Sequence, residues 1–514
     1  MSTTDYLPPD EMSLDAAGDV LGGYLDVNER GETQLDRTFY DTFDGLLYSA
    51  GLSVVHERGR LALVDRVAGV ERASAPMSPP TAPLLAMSLE RCALRDELLP
   101  IVDVRALLPL VHVHSHIRAI DVLDGERKIV VRLTLEQPTV VASSATHVPL
   151  RPRVRLAAVR GYDEELDAVR DALQGELGWK AADQPLVDEA VRAAGGIPGG
   201  IPSKIDVPLS PDQRADAAAA TVLGRLLEVI EANVEGTIAD IDSEFLHDFR
   251  VSVRRSRSVQ RELKGVFPVE ELARMRIEFR WLQQITGDSR DLDVYVLEFE
   301  AMREIVPASM RTDLDPLLTV LRNRRLIARG EMVRALRSER AAAVRRDWAV
   351  LLDQLVQLPT DDRPAATTPI GELAGERIRK VYSRMVKMGS AIDGSSPPED
   401  YHELRKKGKE LRYLLELFGA PLYPGEVVKP MIKALKALQD VLGRHQDREV
   451  QVAMLRSLRD EVSALPGGPA ALMAMGVLVD RLLVDEQAAR DEFAARFAVF
   501  ASKSERQTVR DTFA

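Results

Sequence analysis

The sequence predicts an α+β multidomain protein, with a strand-rich N-terminal region followed by an all-α C-terminal region made of a duplicated helical bundle. Three observations carry that reading. Before residue 195 the apolar residues run or alternate as they do in strands, and beyond residue 210 they recur at helical spacing. Two C-terminal stretches, beginning at His247 and His402, repeat one another 155 residues apart.

A chain of 514 residues is long enough for two or three domains, each with its own core. With 45% hydrophobic and 29% charged residues it has the composition of a folded rather than a disordered protein. The single cysteine, Cys92, excludes an internal disulfide and fits a reducing compartment. The acidic opening MSTTDYLPPDEMSLDAAGD has no apolar run after a basic start, and no apolar stretch reaches membrane-span length. A cytoplasmic location without membrane contact is therefore expected. The net charge of −12 is uneven: residues 1–200 hold 20 Lys+Arg against 31 Asp+Glu, and the remainder 48 against 49. An anion bound to the C-terminal part would feel a local field, not the total.

In chain order, residues 1–21 read as a flexible N-terminus and 22–195 as the strand-rich domain. Thr38-Phe-Tyr40-Asp41-Thr42 leads into Leu46-Leu47-Tyr48. Strand patterns follow at Leu52–His56, Arg60–Val67, Lys128–Leu135 and Val154–Val159, with a helical period over Asp163–Leu177 and a loop over Ala73–Pro83. His112, His114 and His116 fall on one face of a strand, a pattern open either to a transition metal or to a plain exposed strand. The Gly/Pro stretch Ala193–Pro211 places a linker at 196–210. Helical patterns then take over, as in Ala215–Ala232 and Pro316–Leu336. A second break, Leu358–Gly371, divides residues 211–505 into halves at 211–357 and 370–505.

Each half opens with a helix, then a loop, then a histidine-led basic helix. His247, Arg250, Arg254 and Arg257 match His402, Arg405, Lys409 and Arg412 at offsets 0, +3, +7 and +10. On a helix these positions occupy one stripe about 15 Å long. A solvated face is the bland explanation of one such helix. The repeated register favours an anion, as do the surplus of cations over carboxylates and the nearby Arg280, Arg325, Arg329, Lys380, Arg384, Lys433 and Lys436. Like charges at this spacing cost a few tenths of a kcal/mol per pair, which a bound anion would remove. Each stripe is followed by a second shared signal, Gly287 to Asp291 and Val294, and Gly443 to Asp447 and Val450. The glycine reads as a helix end. The aspartate reads as a cap or a salt bridge that organises the arginines. Cations beside His247 and His402 should lower their pKa, and a phosphate should raise it. No ligand set for a metal accompanies these two histidines.

The paired H-x-x-R-x-x-x-[RK]-x-x-R helices, each followed by G-x-x-x-D-x-x-V, resemble the CHAD (conserved histidine α-helical domain) family over residues 211–505. The resemblance implies two pseudo-symmetric four-helix bundles with a basic groove that binds inorganic polyphosphate through the eight stripe residues. Residues 22–195 resemble a degenerate CYTH domain, the triphosphate tunnel fold, through Tyr40-Asp41-Thr42, Leu46-Leu47 and Gly51-Leu52. That family's opening E-x-E-x-K strand is absent, the region reading Gly23-Tyr-Leu-Asp-Val-Asn-Glu29. Its R-x-R strand is replaced by Val54-Val55-His56-Glu57, and its late acidic strand by Arg153-Val-Arg155. Without clustered carboxylates there is nothing to hold a divalent ion, so no catalytic residue, metal or cofactor is expected.

The leading expectation is thus non-catalytic polyphosphate binding by a scaffold or targeting protein, at work in the cytoplasm and on polyphosphate granules. The alternatives are residual metal-dependent hydrolysis of triphosphate or polyphosphate by the N-terminal domain, and binding of nucleic acid or of an acidic protein. Nucleic acid is disfavoured because the basic helices carry few aromatics to stack on bases; Trp281, Tyr413 and Phe418 read as packing residues.

Overall fold

The computed structural model describes residues 5–9, 12–143 and 146–513. The chain divides into two units between Ser203 and Lys204, inside the Gly/Pro stretch. The first unit is strand-rich and the second entirely helical.

The first unit begins with β1 (Asp5–Leu7), α1 (Leu14–Tyr24), β2 (Val27–Thr42), α2 (Leu46–Ser49), β3 (Leu52–Glu57) and β4 (Arg60–Asp65). It continues through β5 (Glu71–Pro76), β6 (Leu84–Leu85), α3 (Ala93–Val102), β7 (Ala106–Leu123) and β8 (Ile129–Ser143). The last elements are β9 (Thr146–Pro149), β10 (Arg153–Ala158), α4 (Asp163–Asp171), β11 (Lys180–Ala181) and α5 (Leu186–Ala193). One antiparallel sheet runs β11-β1-β10-β8-β7-β2-β3-β4-β5, with β6 added to β7 and β9 to β8. Its two ends, β11 and β5, are not joined among the described pairings, so no closed ring of strands forms the tunnel that the resemblance implied.

Two sequence expectations are corrected in this unit. The segment 1–21 is not a free tail where described: β1 pairs with β10 and β11, and α1 buries Leu14, Ala17 and Leu21 in the core under the sheet. Ala73 to Pro76 belong to β5 instead of a loop. His112, His114 and His116 lie in the 18-residue strand β7. There His112 and His114 approach Asp36 at 3.4 and 3.0 Å, and His116 approaches Glu32 at 3.0 Å. Among the described residues no three His, Cys, Asp or Glu converge to hold a metal ion.

α5 lies on one face of this sheet, packing Leu186, Val187, Ala190 and Val191 against Phe39, Val55, Val111 and Val113. The charged residues on that face satisfy one another. Arg37 donates to Ser115 at 2.8 Å and to Glu136, and Arg153 is held by Asp5 and by Glu189 of α5. Burial lowers the Arg37 pKa to about 10.

The helical unit begins with α6 (Ala215–Ala239), α7 (Ser243–Glu262), α8 (Val269–Ile285), α9 (Gly287–Leu297), α10 (Phe299–Ile305), α11 (Asp315–Leu336) and α12 (Glu339–Gln354). Then come α13 (Ile370–Gly389), α14 (Pro398–Leu414), α15 (Ala420–Leu422), α16 (Gly425–Ser457), α17 (Arg459–Ser463), α18 (Gly468–Phe500) and α19 (Lys503–Thr512). Among the described residues no helix is long and apolar enough to cross a membrane.

The two halves do not fold as separate bundles. The larger core joins α6, α7, α8, the C-terminal end of α11 and α12 to α13, α14, the first part of α16, the end of α18 and α19. The smaller core joins α9, α10 and the start of α11 to the end of α16, α17 and the start of α18. Neighbouring helices of one half pack together, as α6 does with α7 and α16 with α18, and both cores are completed by residues of the other half. Hydrophobic periodicity specifies which face is buried but not which partner covers it.

The site helix α7 is set by a close approach. Gly236 near the end of α6 faces Phe245, and a Cβ there would meet the ring base and edge at 2.1–2.5 Å. Gly236→Ala is expected to lower the unfolding free energy by about 1–3 kcal/mol through overpacking. Urea denaturation would measure it, and an unchanged midpoint would contradict the tight α6–α7 contact.

Candidate anion-binding groove

α7 is started by Asp242, whose carboxylate accepts from the Glu244 and Phe245 amides at 2.9 and 3.3 Å. Phe245, Phe249, Val253 and Val259 bury one face, which turns the basic stripe away from the core. α14 starts at Pro398 with Glu399 and Asp400 in its first turn, both favoured at a helix N-terminus. Tyr401, Leu404, Leu411 and Leu414 bury its inner face.

The two stripes come together. Arg254 and Arg257 of α7 and His402, Arg405 and Lys409 of α14 line one cavity of about 530 Å³, with Arg384 of α13 on its wall. A smaller cavity of about 120 Å³ shares Arg257 and adds Arg280. Ion pairs fasten α7 to the second half beside the groove: Arg261 to Glu410 at 2.8 Å and Arg255 to Glu416 at 3.0 Å.

Within the stripes the roles divide. Arg254, Arg257 and Lys409 have no ion-pair partner among the described residues, and neither do Arg280, Arg384, Lys380, Lys433 and Lys436. The last three are exposed on α13 and α16 outside the cavity walls. Burial first, then Arg280, Arg261, Arg254 and Arg276, lowers the Arg257 pKa; every charge in that set is a cation. Lys409 is lowered to about 7 by burial and by Arg254, Arg405 and Arg412, with Asp447 acting the other way.

Arg250 is a structural residue. It is buried and donates to the Gln283 carbonyl at 2.9 Å and to Thr286 Oγ1 at 2.8 Å, tying α7 to the end of α8. Arg325 is paired with Asp240 and Asp293, and Arg329 with Asp240 at 3.2 Å, so the structure takes both away from the groove. Arg412 is paired with Glu416 at 2.6 Å. Arg405 reaches Asp447 at 3.2 Å, the organising salt bridge that the motif predicts.

The second shared signal needs a correction. Gly287 opens α9, and Gly443 lies within the 33-residue α16, so neither ends a helix. Each instead faces the second stripe residue of its half, Arg250 at 3.8 Å from a Cβ on Gly287 and Arg405 at 3.9 Å from one on Gly443. The residue three further on holds the histidine: Arg290 donates to His247 Nδ1 at 3.0 Å, and Gln446 Oε1 meets His402 Nδ1. His247 is also pushed down by burial, an effect that Glu244 opposes and Arg290 reinforces.

Sequence reasoning missed Arg261, Gln283, Lys406, Lys407 and Arg276 around the two cavities. Arg261 continues the stripe one turn beyond Arg257, a signal that was present in the spacing. Trp281 lies under Arg340 at 4.2 Å and Phe418 is fully buried, both as packing residues, whereas Tyr413, 9% exposed, also lines the larger cavity.

Residues 221–456 match the family model of the CHAD domain. Two curated relatives, both uncharacterized proteins of Mycobacterium tuberculosis (strains CDC 1551 / Oshkosh and ATCC 25618 / H37Rv), are 26% identical over 289 residues, covering 52% of this chain and 53% of theirs. The chain thus spans about half the length of the curated relatives it matches. Among solved structures, the CHAD domain from the plant Ricinus communis gives a TM-score of 0.47 at 24% identity, covering 57% of this chain and 95% of that one. PptA from Streptomyces chartreusis gives 0.42 at 18%, covering 55% and 99%. The helical unit of this chain carries a CHAD domain, at residues 221–456.

Proposed function

We propose that the groove between α7 and α14 binds inorganic polyphosphate without catalysing its hydrolysis, as a scaffold or targeting module. The observation that carries this reading is the cluster of Arg254, Arg257 and Lys409, cations that face one another across a cavity with no ion-pair partner among the described residues. Elsewhere on these helices Arg255, Arg261, Arg405, Lys406, Lys407 and Arg412 are paired with carboxylates, and Arg250 is spent on Gln283 and Thr286. Leaving these three unpaired is unfavourable unless an anion supplies the charge. Gln260 adds support: it is fully buried on the wall of the smaller cavity, and neither of its amide atoms is hydrogen-bonded to protein. A flexible chain of phosphates suits a groove that offers point charges and forks along its length but few aromatic faces.

The N-terminal unit is assigned a non-catalytic role. The arginines on its α5-covered face, Arg37 and Arg153, are already bound by Glu136, Asp5 and Glu189, leaving no free cation pair for a triphosphate there.

Calorimetric titration of the full chain with long-chain polyphosphate, at low and moderate salt and with RNA as competitor, tests the reading. Tight binding that weakens steeply with salt and resists RNA is expected. No binding, or displacement by RNA at equal phosphate concentration, would overturn it.

The Lys409 amine gives a second expectation. Its pKa of about 7 in the free protein must rise when an anion neutralises its neighbours, so binding takes up a proton. Affinity is therefore full below pH 7 and falls as pH rises through 7, by about tenfold between pH 7 and 9. Lys409→Arg should remove that pH dependence, which calorimetry in buffers of different ionisation heat would register.

A further inference from the structure

We propose that Lys409 is an acyl-acceptor site, modified at Nζ by small acyl phosphates whose phosphoryl group docks on the arginines of the same cavity. The inference rests on the groove as an anion site and names a second kind of ligand for it. Lys409 shares the cavity with Arg254 and Arg257 of α7 and with Arg384 of α13, none of them held by a carboxylate among the described residues. A doubly charged phosphoryl group seated on those guanidiniums would bring the attached carbonyl within reach of a neighbouring amine.

The groups around Lys409 explain why this amine would react and its neighbours would not. From α7 it faces Arg254, and on its own helix Arg405 and Arg412; Asp447 of α16 opposes them, and Glu403 and Glu410 on the same cavity wall are paired with Lys406 and Lys407. In the free protein the Lys409 amine, with a pKa of about 7, is uncharged at neutral pH far more often than that of an ordinary lysine; a docked phosphoryl group raises that pKa, so attack follows loss of the added proton and speeds up with rising pH. The lone pair of Nζ attacks the carbonyl carbon. An N–C bond forms, the C–O bond to phosphate breaks, inorganic phosphate leaves, and the nitrogen gives its proton to solvent. No oxidant or metal is required. The product is a neutral amide where a proton-accepting cation stood, so acylation would weaken polyanion binding.

The test is treatment of the full chain with acetyl phosphate from pH 6 to 9, with peptide mass spectrometry comparing Lys409 with Lys406 and Lys407. N-acetylimidazole, which carries no phosphate, serves as the parallel reagent. Lys409 is expected to react with acetyl phosphate at least about tenfold faster than either neighbour, at a rate that goes on rising above pH 7, and this preference should shrink with N-acetylimidazole. Reaction no faster than that of Lys406 would overturn the proposal, and equal preference with both reagents would overturn the docking step. Long-chain polyphosphate should protect Lys409. Fast acetylation without protection would count against the polyphosphate reading alone, whereas tight polyphosphate binding with unselective acetylation would sink only the acyl site.

Discussion

Replacing Arg254 and Lys409 together by alanine is expected to lower polyphosphate affinity about a hundredfold while leaving the fold unchanged. Each charge-assisted hydrogen bond to an anion is worth about 1.5–3 kcal/mol, and 1.4 kcal/mol is a factor of ten. Two such contacts could remove more than a hundredfold, but a flexible chain shifts along the groove and recovers part of the loss from Arg257 and Arg384. Stability should hold or rise, because both side chains face other cations and their removal relieves repulsion. The contrasting variant is Arg325→Ala with Arg329→Ala, which breaks the pairs to Asp240 and Asp293. It should lower thermal stability with little change in affinity. If both double variants bound polyphosphate equally weakly, binding would follow overall charge and the groove would not be the site.

The largest effect on stability is expected from Arg363→Ala. Arg363 is 1% exposed and serves as the hub of the segment between the two halves. Its guanidinium donates to the carbonyls of Pro359 at 2.8 Å, Leu355 at 2.9 Å and Val266 at 3.3 Å, and also to Leu358. Asp216, fully buried, lies 3.5 Å away. Truncation leaves these four carbonyls without their charged donor, at about 1–3 kcal/mol for each buried acceptor left unpaired, while Asp216 keeps Arg214 and the Ala217 amide. A fall in the urea midpoint of the helical unit with an unchanged denaturant slope would match. A loss below about 1 kcal/mol would mean that solvent reaches these groups.

That segment shows where sequence reading reaches its limit. Leu358–Gly371 reads as a loop from its prolines and aspartates. In the structure it is a strap: Ala215 and Asp216 donate to the carbonyls of Thr368 and Ala366, and Ala365 to that of Gly265. Nothing in local composition reports a buried arginine at its centre. The stripes were readable because helical period and duplication are local, repeated signals. The division of labour within them was not. Arg250 and Arg254 have the same spacing logic, yet one is spent on Gln283 and Thr286 while the other faces the cavity. Arg325 and Arg329 looked equally available until Asp240, some 85 residues earlier in the chain, was placed against them. In the first unit, Val27 to Leu35 carries almost no apolar alternation, and its strand exists because β7 pairs with it along its whole length.

The interleaving of the two helical halves sets an order of events at the ribosome. Ala215 to Leu227 of α6 belong to the same core as Phe493, Val509 and Phe513, so that core is complete only when the last of these has emerged. From Gln354 at the end of the first half, that is roughly 160 further residues, or about 8–30 s at usual rates of synthesis. For about the first 60 of those residues α14 is still incomplete, and α7 presents its cations with no facing helix. The nascent chain thus passes through a long stage at which a polyanion or a chaperone would meet half a groove, and final docking of α14 and α19 is the commitment step.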